Sequence, residues 1–278
     1  MRACCRGVRR PAHRKKNRPE RRDRGCRGRR LECIVLKKLY VVGIGAGNYE
    51  GMTVKAVKTL EEADVIVGYT AYCDLMRPFF PGKTFLSTPM MREIERCRIA
   101  LEQAAEGKNI ALICSGDAGI YGMASPALEL CSEYGVEVEI VAGVTAAISG
   151  AALLGSPLTN DFSVISLSDL LTPMEVIEKR LECAAIADVA VVLYNPASKK
   201  RADHLRRACE IMLKHRVPET VCGIARNIGR DGEETKLLTL SELSDYQADM
   251  FTAVFIGNSA TRIIDGKMVT PRGYRYEG

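Results

Sequence analysis

The segment Asn109–Gly122, NIALICSGDAGIYG, is the most informative part of this chain. Ile110–Cys114 form an apolar run with the length of a buried strand, and three of the eight residues that follow are glycines. Glycines at a strand end let the backbone turn tightly and approach a ligand closely. In α/β proteins, ligands bind beyond the carboxyl ends of parallel strands. The segment therefore predicts a parallel sheet with a ligand-binding loop, in which Asp117 either caps the next helix or accepts a hydrogen bond from the ligand.

Short apolar runs alternate with amphipathic stretches on both sides of this segment, a pattern typical of an α/β fold with parallel strands. The first half predicts strands at residues 39–44, 64–69, 83–86, 109–114 and 136–141. The second half predicts strands at residues 163–167, 189–194, 220–225, 234–238 and 252–256, with helices at residues 173–184 and 199–215 and a short one near Ser241. Gly155-Ser156-Pro157 is a natural hinge. We therefore expect two α/β lobes, residues 39–154 and 155–278, with the ligand in the cleft between them.

The charge of the chain is concentrated at its amino end. Residues 1–38 carry twelve arginines and four lysines against three acidic residues, a net charge of +13, so the remainder carries −7 although the whole chain carries +6. We expect this tail to be disordered and outside the catalytic body. It could be upstream sequence translated before a true start near Val35 or Leu36, a nucleic-acid or membrane-surface arm, or a transit peptide. The acidic body argues against a nucleic-acid partner, and no apolar run reaches the roughly 18 residues of a membrane span.

The eleven cysteines show no metal-binding pattern. Seven are scattered singly through the body, none in a CxxC pair, and the body's only histidines are His204 and His215. This argues against a zinc site or an iron–sulfur cluster, so we expect no metal. Unpaired cysteines fit a reducing cytoplasm, most of them as small buried apolar residues. The chain also lacks a Ser/His/Asp set, which fits a reaction that mainly needs two substrates positioned, such as methyl transfer from a sulfonium.

Four further loops follow predicted strands. Gly43–Asn48, GIGAGN, resembles a dinucleotide fingerprint, but Asn48 stands at the third glycine position and no acidic residue ends the second strand. Both features argue against a nicotinamide-dependent oxidoreductase. In the loop that begins at Gly143, Thr145 is the expected cap of the following helix. The loops 194–201 and 226–233 place cationic residues at strand ends.

Together these loops resemble those of the tetrapyrrole (corrin/porphyrin) methyltransferase family, from Leu39 to about Thr270. The resemblance implies two α/β lobes with S-adenosylmethionine folded into the cleft between them. Matching the motifs implies cofactor contacts from eleven residues: Gly45, Ala46, Ser115, Gly116, Asp117, Ile120, Tyr121, Thr145, Ala146, Asn195 and Ile228. The chain departs from the family at Ala46-Gly47-Asn48, where Pro-Gly-Asp is usual, and at Ala118, where proline is usual.

The second-lobe motifs resemble those of the precorrin-3B carbon-17 methyltransferases: YNPxSKxR from Tyr194, RNIGR from Arg226 and FIGNSxT from Phe255. This implies S-adenosylmethionine-dependent methylation of carbon 17 of precorrin-3B or cobalt-precorrin-3, with ring contraction, in cobalamin biosynthesis. Within the family the alternatives are another precorrin methylase, a uroporphyrinogen-III methyltransferase or a diphthine synthase. The family also implies a homodimer.

The implied substrate carries about eight carboxylates, so it needs cationic partners even in an acidic protein. Loop position suggests five candidates: Lys199, Arg201, Arg226, Arg230 and Arg262. Ring contraction needs an acid or base beyond the methyl transfer itself. Tyr121 and Asp161 are the candidates for it, although the sequence does not identify the group.

Overall fold

The computed structural model describes residues 37–197 and 203–275, which belong to one compact unit, Val35–Gly278. Most of the predicted basic tail, together with Lys199 and Arg201, lies outside the described residues. The tail was predicted to extend to residue 38. Instead, the first strand begins at Lys38, because Lys38 and Leu39 pair with Glu137 and Val138 of a neighbouring strand.

The first half of the chain forms a five-stranded sheet in which every pairing is parallel, as predicted. Its order is β3-β2-β4-β1-β5, with β1 (Lys38–Gly43), β2 (Val65–Tyr69), β3 (Thr84–Thr88), β4 (Ile110–Cys114) and β5 (Glu137–Val141). The intervening helices are α1 (Val54–Glu62), α2 (Thr70–Met76), α3 (Glu93–Ala105), α4 (Ala124–Tyr134) and, after β5, α5 (Ala146–Leu154). The central strand β4 is buried throughout because helices cover both faces of the sheet.

Local signals set several helix ends. The Thr53 side chain accepts a hydrogen bond from the Ala56 N–H at 3.1 Å and so caps α1. Helix α4 ends at Gly135, whose left-handed conformation (φ 59°) suits glycine. Alternate residues of each strand face opposite sides of the sheet. Val41 and Leu112 therefore pack against α3 and α4, whereas their neighbours Val42 and Ile113 pack against α1 and α2.

The second half forms another five-stranded sheet, of order β10-β9-β11-β8-β7. Its strands are β7 (Phe162–Ser166), β8 (Ala190–Tyr194), β9 (Val221–Arg226), β10 (Glu234–Thr239) and β11 (Thr252–Ile256), with helices α6 (Met174–Ile186), α7 (His204–Leu213) and α8 (Leu240–Ser244). Only β7 and β8 pair in parallel, so the prediction of parallel strands is wrong for this sheet. The loop 227–233 is too short for a parallel crossover, which needs a dozen or more residues, so β9 and β10 form a hairpin.

A small sheet that the sequence pattern did not reveal joins β6 (Gly155–Ser156), β12 (Arg262–Ile264) and β13 (Lys267–Val269). Strands of two or three residues are too short to show an apolar period. The turn between β12 and β13 is Asp265-Gly266, with both residues at positive φ (47° and 69°). That dipeptide is a strong hairpin signal, so the sequence did contain a marker for this element.

Helix α5 packs against the second sheet, although the predicted boundary assigns it to the first lobe. Its buried residues share a core with Phe255 and Ile228. A Cβ added at Gly150 would lie 2.8 Å from the Phe255 ring and 3.0 Å from Ile228, so glycine allows this close approach. Among the described helices, none has the length and apolar character needed to cross a membrane.

Candidate functional site

Three glycine-containing loops meet where the neighbouring strands β4, β1 and β5 end. The backbones of Gly45 and Gly116 exchange two hydrogen bonds, at 3.1 and 2.7 Å. A Cβ added at Gly43 would lie 2.6 Å from the Gly116 carbonyl oxygen, and one added at Gly143 would lie 2.1 Å from it. Since real Cβ atoms do not approach this closely, glycine is required at both positions. The result is a set of three tightly packed loops at the carboxyl edge of the sheet, where α/β proteins bind ligands.

Asp117 ties two of these loops together. Its Oδ1 accepts a hydrogen bond from the Gly119 N–H at 2.8 Å, and its Oδ2 accepts one from the Gly143 N–H at 2.9 Å. It does not cap α4, which begins after Met123 without a side-chain cap. The alternative of a helix cap is therefore wrong, and the carboxylate holds the loop after β4 against the loop after β5.

Tyr194, at the end of β8, supplies the cap of α5. Its hydroxyl accepts the Ala147 N–H at 2.6 Å and forms a hydrogen bond with Thr145 Oγ1 at 2.5 Å. Thr145 occupies the N-cap position, but its own side chain makes no capping bond, so the prediction that it caps the helix is wrong. Burial raises the pKa of Tyr194, although its hydrogen bonds to Thr145 and Ala147 act in the opposite direction. The hydroxyl therefore stays protonated at neutral pH.

Tyr121 connects the second glycine loop to β7, the edge strand of the other sheet. Its hydroxyl donates to the Val164 carbonyl and accepts the Ser166 N–H, both at 3.1 Å. Asn195 reaches the same strand, where its Nδ2 donates to Ser166 Oγ at 2.9 Å. Tyr121 and Asn195 both hold φ of 54°, an uncommon conformation for residues other than glycine. The Tyr121 and Tyr194 rings lie 5.8 Å apart. The loops after β4 and β5 of the first sheet therefore converge with the loop after β8 of the second sheet.

Arg230, in the β9–β10 loop, reaches the first two glycine loops. Its Nε donates to the Ala46 carbonyl at 3.0 Å, and its Nη2 donates to Ser115 Oγ at 3.1 Å. Ile228 from the same loop and Ala46 are buried in one cluster. The arginine that loop position suggested for substrate binding thus contacts two residues predicted to bind the cofactor. The other predicted cofactor residues, Ile120 and Ala146, belong to the same loops.

The remaining candidates are not brought to these loops. Asp161 comes just before β7, whereas Tyr121 and Asn195 contact Ser166 at the far end of that strand. The length of the strand, about 17 Å, separates Asp161 from them. Arg262 lies on the small sheet beyond the carboxyl end of α5, whereas the glycine loops lie at the amino end of that helix. The nine residues of α5 span about 13 Å, and this length separates Arg262 from the loops.

Arg226 is neutralised within its own sheet. Its Nε donates to Asp249 at 2.7 Å, and its Nη1 lies 4.0 Å from a Glu234 oxygen. The hydrogen bond that Arg226 donates to Asp249 raises the pKa of the guanidinium, and the negative charge of the same carboxylate raises it further. Two carboxylates therefore already satisfy this cation.

Several tyrosines at the site were missed as candidates. Tyr69 and Tyr194 are the last residues of β2 and β8, and Tyr72 follows in α2. A tyrosine that ends an apolar strand places a polar hydroxyl at the ligand-binding edge, so strand-end position was the available signal. No group of three or more His, Cys, Asp or Glu side chains in residues 37–197 and 203–275 is arranged to hold a metal.

Comparison with known proteins gives a consistent result. Residues 38–244 match the model of the tetrapyrrole (corrin/porphyrin) methylases. The probable cobalt-factor III C(17)-methyltransferase of Salmonella typhimurium is 47% identical over 238 residues, covering 85% of this chain and 99% of the relative. The precorrin-3B C(17)-methyltransferase of Sinorhizobium sp. is 38% identical over 247 residues, covering 85% and 96%. The crystal structure of the methyltransferase CobJ has a TM-score of 0.78 and 38% identity, covering 84% of this chain and 99% of that one.

Proposed function

The chain belongs to the tetrapyrrole (corrin/porphyrin) methylase family, and from that premise we propose that it methylates carbon 17 of a cobalamin-pathway tetrapyrrole. The methyl donor is S-adenosylmethionine. The 47% identical relative is named for cobalt-factor III and the 38% identical one for precorrin-3B. Cobalt-factor III is therefore the first acceptor that we propose, and precorrin-3B is the second.

The observation that carries this proposal is the convergence of the three glycine loops. Their main chains pack closely together at the carboxyl edge of the sheet, and the buried Ala46 and Ile228 lie in an apolar cluster beside them. Polar main chain next to an apolar wall suits a ligand that combines an amino acid with a nucleoside. When bound, S-adenosylmethionine supplies an electrophilic methyl group on its sulfonium. We propose that Gly45, Gly116 and Ala146 hold it.

The side chains around these loops fit a reaction whose main requirement is alignment. Asp117 fixes one loop against another, Tyr194 fixes the start of α5, and Arg230 fixes the β9–β10 loop to Ala46 and Ser115. Rigid loops hold two reactants in line and lower the entropy cost of reaction. The Tyr121 hydroxyl both donates and accepts a hydrogen bond with the main chain of β7, so we assign it to positioning rather than to proton transfer.

We also propose that the protein acts as a homodimer in the cytoplasm. Strand β5 lies at the edge of the first sheet, and its Ile140 is exposed. An open edge with apolar side chains favours association with a second copy. Seven unpaired cysteines among the described residues suit a reducing compartment. Sedimentation equilibrium at micromolar concentration should give the mass of two chains, and a monomer mass would contradict the dimer.

Methyl transfer to two acceptors offered in parallel tests the function. S-adenosylmethionine with a radiolabelled methyl group is mixed anaerobically with cobalt-factor III and, separately, with precorrin-3B. We expect label in the first product and less or none in the second. Binding of S-adenosylhomocysteine without label in either product would keep the family but overturn the acceptor. A Gly143→Ala variant, whose loop cannot close, serves as the inactive control.

A further inference from the structure

Two arginines and two tyrosines form a continuous row beside the glycine loops. The Arg230 guanidinium carbon lies 5.9 Å from the centre of the Tyr72 ring. The Tyr72 and Tyr69 rings meet edge to face with centres 5.1 Å apart, and the Arg96 guanidinium carbon lies 5.9 Å from the Tyr69 ring. We refer to Arg230, Tyr72, Tyr69 and Arg96 as the Arg–Tyr row. Its members come from three separate parts of the chain, the end of β2 with the start of α2, helix α3 and the β9–β10 loop, so the fold assembles it.

Both arginines of the row contact only neutral acceptors. Arg96 is 4% exposed, and it donates to Thr88 Oγ1 at 2.9 Å, to the Pro89 carbonyl at 3.1 Å and to Met123 Sδ at 3.7 Å. Arg230 donates to a carbonyl and a hydroxyl. Neither guanidinium forms an ion pair within the part of the chain that the structure describes. Burying a cation without a counter-charge is costly, so the row holds two positive charges that an anionic ligand would balance.

The tyrosine hydroxyls of the row are also free. Neither the Tyr69 nor the Tyr72 hydroxyl has a hydrogen-bond partner among the described residues. Both hydroxyls are accessible to solvent, because Arg216 Nε is the one buried side-chain polar atom of the described residues that lacks a partner. Burial raises the pKa of Tyr72, with the positive charge of Arg230 acting in the opposite direction. The hydroxyl is therefore protonated at neutral pH and available as a donor. The row presents donors and positive charge, and no acceptor with negative charge.

The row adjoins the proposed donor site and meets it at Arg230, which contacts Ala46 and Ser115. Tyr69 ends β2, which neighbours β4, whereas the glycine loops follow β4, β1 and β5. At about 4.8 Å between strands, the end of β2 is about 10 Å from the end of β1. Arg230 connects the two regions because it also holds Ser115. A second molecule placed against the methyl donor would therefore extend over the row.

We propose that the Arg–Tyr row binds a carboxylate side chain of the tetrapyrrole acceptor. The inference rests on the proposed function, because it takes the acceptor to be a tetrapyrrole with several acidic side chains. Guanidinium groups pair with carboxylates in a planar, directional geometry, and phenol hydroxyls add further hydrogen bonds. The row thereby fixes the orientation of the macrocycle relative to the methyl donor.

A double Tyr69→Phe, Tyr72→Phe variant removes two hydroxyls that make no bond within the described part of the chain. Methyl transfer to cobalt-factor III gives KM and kcat, and calorimetric titration with S-adenosylhomocysteine gives the affinity of the donor site. We expect the KM for cobalt-factor III to rise about tenfold or more, since a hydrogen bond to a charged group is worth this factor. The Kd for S-adenosylhomocysteine should stay within about twofold of the wild-type value. Tyr134→Phe, at the far end of α4, is the matched control and should leave both values unchanged.

Arg96→Lys and Arg96→Gln test the charge of the row. The lysine variant keeps the charge without the planar fork, so its KM should lie between those of the wild type and the glutamine variant. If Arg96→Gln fails to fold, the KM of the double Tyr69→Phe, Tyr72→Phe variant tests the proposal. An unchanged KM in the double tyrosine variant would overturn the proposal, and so would a raised Kd for S-adenosylhomocysteine at unchanged KM, because the row would then serve the donor. If the wild type methylates neither acceptor, the proposed function itself fails and the row has no tetrapyrrole to bind.

Discussion

Single side chains from the second sheet position the main chain of the first. Tyr194 provides the clearest case, because its hydroxyl performs the capping that sequence assigns to Thr145. A helix start leaves several N–H groups without partners, and an oxygen from any source can satisfy them. Here that oxygen comes from another sheet, so the start of α5 depends on the second half of the chain. The residues proposed to contact the cofactor at this point are thereby held by a residue 47 positions away.

Tyr194→Phe removes the cap without changing the size of the ring. The variant leaves the Ala147 N–H unpaired, a change that costs about 1 kcal/mol for a typical helix cap. We expect the Kd for S-adenosylhomocysteine to rise about five- to tenfold and Tm to fall by about 2–4 °C. Calorimetric titration and thermal unfolding measure the two effects. A lower Tm with unchanged affinity would show that the cap serves only the fold.

The cysteines should be chemically inert where they are buried. Burial raises the pKa of the thiols of Cys73, Cys97 and Cys114 to about 11 and that of Cys209 to about 12. At pH 8 these groups remain thiols and react slowly, because the thiolate is the nucleophile. Labelling with iodoacetamide, followed by peptide mass spectrometry, should modify the exposed Cys183 before the other cysteines of the described residues. Labelling of Cys97 at the rate of Cys183 would contradict this.

The same shifts predict how stability depends on pH. A thiol whose pKa is raised in the folded protein keeps its proton while the unfolded chain, with a pKa of about 8.5, loses it. The free energy of unfolding should therefore fall as pH rises from about 8.5 towards 11, and this contribution should be complete below that range. Urea unfolding at a series of pH values measures it.

At the scale of helices and strands, the pattern of the sequence predicted most of the fold. Each strand of the two large sheets lies within a residue or two of its predicted position, because most of them are short runs rich in apolar residues and bounded by turn residues. Strand direction in the second sheet was not predictable from those runs, since direction depends on connections and tertiary pairing. The glycine loops were predicted because their composition is local. The partners of Asp117 and Tyr121 were not, because hydrogen bonds between distant segments leave no local pattern.

Gly43→Ala tests whether the meeting of the three loops forms the site. The new Cβ would lie 2.6 Å from the Gly116 carbonyl oxygen, so the loops must move apart, at a cost of about 1–3 kcal/mol. We expect a lower Tm and a loss of affinity for S-adenosylhomocysteine of more than about tenfold. Gly107→Ala is the control, since nothing lies within 4 Å of its added Cβ although its φ is also strained at 90°. Undiminished affinity in Gly43→Ala would mean that the loops do not form the donor site.

At the scale of the whole molecule, both sheets contribute to one site. Tyr121, Tyr194 and Arg230 each make hydrogen bonds between the two halves of the described chain. Helix α5 belongs to the first half in sequence and to the second in packing, so it joins them through the core as well. The lobe boundary predicted from the sequence follows α5, at residue 154, whereas the buried side chains of α5 pack with those of the second sheet.

A chain shortened to begin at Val35 should retain full methyl transfer. The family match begins at residue 38, and the first strand of the described chain begins at Lys38. The net positive charge of the removed residues should matter only for nonspecific binding to polyanions, which salt weakens. Comparing kcat/KM of the full and shortened chains measures this. A loss of more than about tenfold would assign the tail a role in the reaction.

The most direct test of the central claim is the position of the transferred methyl group. S-adenosylmethionine with a carbon-13 methyl group is incubated anaerobically with cobalt-factor III and the protein, and the product is examined by NMR. We expect a single new methyl resonance, correlated with carbon 17, in a ring-contracted product. A methyl group on another carbon would contradict the assigned reaction while leaving the family intact, and an unlabelled acceptor would show that the protein does not methylate cobalt-factor III.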